Sequence, residues 1–230
     1  MNKLPQRCFY FFLGLAINSF GVAFITKSAL GTSQISSIPY VFNLRFPHIS
    51  FGMFTFIFNM IFILIQIAVL RKDFHPIQFL QIAANLLFSS LIDVSMYALS
   101  WFDPESLPLR LISLAVGCMI LAVGISIEVA PDVIVVPGEG IVKAISWASH
   151  KEFGTVKLCF DVTLIVIAAV FSLLFFHRLR GLGIGTVVSA AAIGKVVSLV
   201  DHHFPLIQHI RRLTLKKDSA YSRAASAKHA

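Results

Sequence analysis

Gly14-Leu15-Ala16-Ile17-Asn18-Ser19-Phe20-Gly21 has a counterpart later in the chain, Gly117-Cys118-Met119-Ile120-Leu121-Ala122-Val123-Gly124. Each stretch lies in an apolar run, and both of its glycines recur 103 positions on. Phe51-Gly52 and Phe58-Asn59 likewise return as Phe153-Gly154 and Phe160-Asp161, displaced by 102. Several matches in one register predict a duplicated unit of about a hundred residues. In an apolar chain, such duplication points to a two-fold architecture around a central path or site.

Composition places that architecture in a membrane. Of 230 residues, 57% are hydrophobic, 22 are Phe and only 13% are charged, with a mean hydropathy of +0.83. A water-soluble domain of this length needs far more polar surface. Apolar runs of roughly 20 residues cross a bilayer core, and six are present, near 8–28, 51–70, 77–101, 109–130, 155–177 and 183–200. The expected fold is therefore an all-α polytopic transmembrane helix bundle. Its repeats cover about 8–101 and about 109–200, and a basic tail occupies 201–230. No room is left for a separate soluble catalytic domain.

Between the first and second runs lies 31–46, opening on Gly31, Thr32 and Ser33; its counterpart, 136–149, opens on Pro137-Gly138-Glu139-Gly140. Both are too short to span. Two readings stand open, a re-entrant helix and an interfacial helix with Tyr40 or Trp147 at headgroup depth. Each half then reads helix, short helix, helix, helix. Three crossings per half invert the second half relative to the first. Cytoplasmic positions collect Lys3, Arg7, Arg71, Lys72, Lys143, Lys151 and the basic tail, whereas Arg45, Arg110, Arg178 and Arg180 fall outside. That asymmetry predicts both termini in the cytoplasm, with the first run a retained helix instead of a cleaved signal.

Leu206, Ile210 and Leu213 share a helical face beside Arg211 and Arg212, a pattern suited to anionic lipid. The net charge of +8 belongs largely to this tail, so the expected partner is the lipid bilayer and not nucleic acid. Cys8, Cys118 and Cys159 all lie in apolar runs and read as packed thiols. No metal or cofactor is expected.

Charges within spans are costly and are the natural candidates for function. Lys157 and Asp161 are four apart on one face of the fifth span, and Asn59 occupies the position matching Asp161 in the second. Asn59 and Asp161 would meet near the midplane if the two-fold held there; the competing reading makes Lys157 and Asp161 a tie between helices. Glu139, at a helix start, either caps its own helix or faces a cavity as a proton or cation acceptor. Asp93 and Lys195 are deep enough to pair across the third and sixth spans. Lys27 and Glu128 sit near helix ends and read as snorkelling charges. Gly185-x-x-x-Ser189 and Ala190-x-x-x-Gly194 permit close helix approach. The chain has no zinc-protease, nucleophile-elbow or Walker motif, so it does not read as an enzyme.

Pro137-Gly138-Glu139-Gly140, Phe153-Gly154, Lys157, Phe160-Asp161 and Gly183-Ile184-Gly185-Thr186 resemble the second-half signature of the YczE/YyaS/YitT bacterial membrane proteins. Phe20-Gly21-Val22 and Gly31-Thr32-Ser33 resemble the first-half signature. The resemblance covers about 8–200 and implies a multi-span bacterial inner-membrane protein. It also implies a second acid in the first short segment, where this chain carries Ser36. The leading functional expectation is transport of a small solute, with Glu139 or Asp161 as the proton carrier if it is proton-coupled. The alternative is a non-transporting accessory or scaffold protein. Substrate and oligomeric state are not readable from the sequence.

Overall fold

The structure, a computed structural model, describes residues 4–210. Among the described residues eight α-helices precede a last helical stretch: α1 (Leu4–Lys27), α2 (Gln34–Arg45), α3 (Phe51–Leu70), α4 (Leu80–Ala98), α5 (Leu107–Val129), α6 (Pro137–Ser149), α7 (Phe153–Phe176) and α8 (Ile184–His203). Two single turns of 3₁₀ helix bridge α3 to α4. Six helices, all but α2 and α6, have the length and hydropathy to cross a membrane. The chain is a multi-pass helical membrane protein, and both short helices fall where the sequence puts them.

Lipid replaces water as the solvent for these helices, so apolar side chains cover the outside as well as the core. Leu64, Leu86, Val94, Leu158, Leu174 and Val187 are all exposed. The most apolar window of α5 is 56% buried, that of α7 only 17%; α5 therefore runs through the centre and α7 along the periphery.

Glycine sets the central crossing. A Cβ on Gly14 would strike the backbone of Glu128, on Gly21 that of Leu121, on Gly117 that of Ile25, and on Gly124 that of Asn18. In every pair the residue numbers sum to 142, so α1 and α5 run antiparallel in one unbroken register. Shifting one half by 103 turns the Gly14–Glu128 contact into Ile25–Gly117, and the Gly21–Leu121 contact into Asn18–Gly124. The same exchange relates α1 on α4 to α5 on α8, and α3 on α6 to α7 on α2. It fails at two places: α3 packs along α4 whereas α7 and α8 scarcely touch, and α2 meets α8 whereas α6 and α4 scarcely touch.

One apolar cluster gathers Val22, Ile25, Phe51, Ile92, Leu114, Cys118, Leu121 and Ile193 from α1, α3, α4, α5 and α8. A second joins the short helices to α3 and α7 through Ile38, Val41, Phe62, Ile141, Val142, Val156 and Leu164. Past α8 the chain is helical again over 205–210. There Ile207 and Ile210 are buried against Ile127, Ala130 and Val200. Leu206 is the exposed member, so this segment turns Ile210 into the bundle and not toward lipid. Leu213, Arg211, Arg212 and the rest of the expected tail lie outside the described residues.

Candidate functional site

The α3–α4 interface carries a column of buried amides. At one end, Asp93 of α4 accepts from the Ser50 hydroxyl at 2.6 Å and from the Gly52 amide at 2.7 Å, and the Ser50 hydroxyl in turn accepts from the Met53 amide. A carboxylate at a helix N-terminus satisfies free amides and favours the positive end of the dipole. Gly52 is required here, because a Cβ would meet the Ser89 carbonyl and the Asp93 carboxylate. Asp93 thus anchors the start of α3, and Lys195 is exposed on α8; no ion pair joins them among the described residues.

Midway, Asn59 donates to the side-chain oxygen of Asn85 at 2.8 Å, and Asn85 donates to the Phe56 carbonyl. Asn59 is therefore closed off by α4 and does not bond Asp161; α3 and α7 meet through Phe62 and Phe160 instead, with ring centroids 5.4 Å apart. Two turns beyond Asn59, Gln66 donates to the Pro137 carbonyl at 3.1 Å, and Gln81 donates to the Gln66 side-chain oxygen at 3.3 Å. Gly140 makes this reach feasible, since its missing Cβ leaves room for the Gln66 amide. The side-chain oxygen of Gln81 is buried and has no hydrogen-bond partner.

Gln81 also lines a cavity of about 480 Å³. The walls come from the α3–α4 connection (Asp73, His75, Gln78), from the segment before α6 (Asp132 to Val135), and from Lys143 and Trp147 of α6. It lies at the end of the bundle that holds the start of α1, where Arg7 donates to the Pro131 and Asp132 carbonyls at 2.8 Å each. Neither Asn59 nor Asp161 lines the cavity.

Behind the Lys143 wall, the structure brings together three of the charges singled out in the sequence. Lys157 and Asp161 of α7 form an ion pair at 2.8 Å, with side chains 29% and 15% exposed. Glu139, in the first turn of α6, sits in the fields of Lys143 and Lys157. α6 is not among the membrane-spanning helices; there burial pushes the Glu139 carboxyl above the usual carboxylate range, against the pull of those two lysines. Pro137 and Gly138 are buried as α6 begins. In the first half, where the resemblance implies an acid, Ser36 accepts from the Ser33 hydroxyl at 3.0 Å.

Glu128 is the residue the sequence misjudged. It does not snorkel: it is 3% exposed, accepts from the Asn18 amide at 2.6 Å, and holds its other oxygen buried without a partner. The glycine-tight crossing of α1 and α5 covers it. Small residues also act at the head of α8. Gly183 and Gly185 press against the Leu30 carbonyl, the Gly185 amide donates to it at 2.9 Å, and the Thr32 amide donates to the Thr186 hydroxyl at 3.2 Å. Gly31, with φ of 133°, fits only because it has no side chain beside Thr186. Gly31, Thr32 and Ser33 therefore form a packed joint to α8.

Gln66, Gln81 and Asn85 escaped a search based on charge. Their signal was spacing: Asn59 and Gln66 are seven apart in α3, and Gln81 and Asn85 four apart in α4, which sets each pair on one helical face. The model of DUF6198, a family of unknown function, matches residues 5–202. The chain belongs to that family. No curated protein and no solved structure matches it.

Proposed function

We propose that the protein moves a small solute across a bacterial inner membrane, and that the cavity lined by Gln81 is its entry from one side. The observation that carries this reading is Gln81 in the cavity's lining, whose side-chain oxygen is buried without a partner and whose amide nitrogen bonds Gln66, with further buried amides along α3 and α4. Polar groups at that depth are costly in a bilayer and belong to solute paths more often than to the lipid face. The exchange of helix contacts under the 103-residue shift supports two inverted three-helix repeats, an architecture transporters use to alternate access. Excess Lys and Arg at that end support a cytoplasmic cavity mouth and cytoplasmic termini. The motif resemblance to the YczE/YyaS/YitT proteins is proposed with this reading.

The rival, a membrane accessory or scaffold protein, draws on the pairing of Asn59 with Asn85 and of Lys157 with Asp161, which leaves those groups occupied. Purified protein in proteoliposomes, loaded with a panel of small metabolites under imposed ion and pH gradients, decides between them. Flux that is lost in Gln66→Leu supports transport. No flux under any gradient, with a stable partner recovered from native membranes, supports the scaffold.

A further inference from the structure

We propose that the cavity selects solutes bearing a primary ammonium group, and that the side-chain oxygen of Gln81 receives it. This rests on the reading of the cavity as a solute site and adds the chemical class it takes.

The polarity of the amide chain carries the argument. The Pro137 carbonyl can only accept, so the group of Gln66 that meets it at 3.1 Å must be the NH₂. That turns the Gln66 oxygen toward Gln81, and the group of Gln81 that meets it at 3.3 Å must again be the NH₂. Rotating either amide by half a turn would set like groups against each other, so a backbone carbonyl fixes both orientations. The end of the chain is therefore an acceptor. Gln81 is 2% exposed, its oxygen has no partner, and the residue lines the cavity. A buried acceptor left unpaired is unfavourable, and a ligand that donates to it recovers the lost hydrogen bond.

Charge narrows the donor. Asp73 and Asp132 contribute two carboxylates to the lining, and Lys143 one cation. Among the lining residues, with His75 neutral, the balance is negative and favours an ammonium over a neutral hydroxyl. Trp147 supplies an aromatic wall, against which the remainder of a small cation can lie. A site that hydrogen-bonds an N–H discriminates strongly against an analogue that lacks it.

The test compares n-propylammonium with n-propyltrimethylammonium, which keeps the charge and removes every N–H. Binding of each to the full-length protein in nanodiscs is measured by calorimetry, without any gradient. The expected result is at least tenfold tighter binding of the primary amine. Gln81→Leu should abolish that preference. Equal binding, tighter binding of the trimethyl probe through Trp147 alone, or binding of neither because a water suffices for Gln81, would each overturn the assignment. The wild-type comparison stands even if Gln81→Leu does not fold. Selective binding with no flux of any solute would end the transport reading and leave the site intact. Flux with no preference between the probes would do the reverse.

Discussion

Asn18 and Glu128 meet at the crossing of α1 and α5, the amide nitrogen 2.6 Å from one carboxyl oxygen. They lie on opposite members of a helix pair held together by four glycines. Neither position is mirrored by a polar residue in the other half: the 103-residue shift sends Asn18 to Leu121 and Glu128 to Ile25. The glycine contacts of the crossing are matched under that shift, and this polar bond is not.

Asn18→Leu should therefore destabilise the protein by about 1–3 kcal/mol, the cost of leaving a buried polar group unsatisfied. Adding Glu128→Leu should recover part of that loss. Thermal unfolding in a mild detergent, read as a double-mutant cycle, checks it; strictly additive losses would mean the two side chains do not depend on each other.

Gly21→Ala and Gly124→Ala should each cost about 1–3 kcal/mol, because the added methyl enters the backbone of the facing helix. Gly154→Ala and Gly194→Ala meet nothing within 4 Å. They should be neutral or stabilising by up to ~1 kcal/mol, since alanine is the better helix former. Melting temperatures of the four variants should fall into those two groups.

Lys157 and Asp161 neutralise each other along α7. An uncompensated charge in a membrane helix costs ~2.5–3.5 kcal/mol on insertion scales. Lys157→Met or Asp161→Leu alone should thus lower the yield of inserted protein more than the two together. Expression and detergent stability of the three variants measure this.

Glu139 titrates above its ordinary value of 4.5 because α6 buries it. The folded protein holds that proton more tightly than the unfolded chain does, so stability from this group is full below pH 4.5. It declines as pH rises toward the raised folded value. Glu139→Gln should flatten that decline, and Lys143→Met, which removes an opposing cation, should shift it to higher pH. Unfolding midpoints across an acid-to-neutral series give the comparison. If Glu139 also carries the coupling proton, Glu139→Gln will abolish pH-driven flux while leaving the fold intact.

Cysteines introduced at Ser50, before α3, and at Ser149, at the end of α6, should label from opposite faces in intact cells. Labelling of both from one face would remove the inverted arrangement and the orientation derived from charge.

Span positions were legible because a bilayer demands about twenty apolar residues per crossing, and neither α1 nor α7 has an alternative use for such a run. The glycine pairs were legible as a repeat because spacing survives in the sequence. What they press against does not: only the antiparallel register shows that Gly14 faces Glu128. Residues 205–210 return to pack Ile207 and Ile210 beside Ile127, at the end of α5 where hydropathy placed Glu128 near water.

The sequence by itself determined a six-span helical membrane protein, with Lys157 and Asp161 paired, since those features depend on composition and on separations of a few residues along one helix. Only the tertiary structure decided that Asp93 belongs to Ser50 and Gly52, that Asn59 belongs to Asn85, and that Gln81 ends a chain of amides beginning at Pro137. Those partners lie 15 to 71 residues apart. A hydrogen bond across that separation is set by which helix faces touch, and a linear pattern of polar residues carries no record of the facing helix.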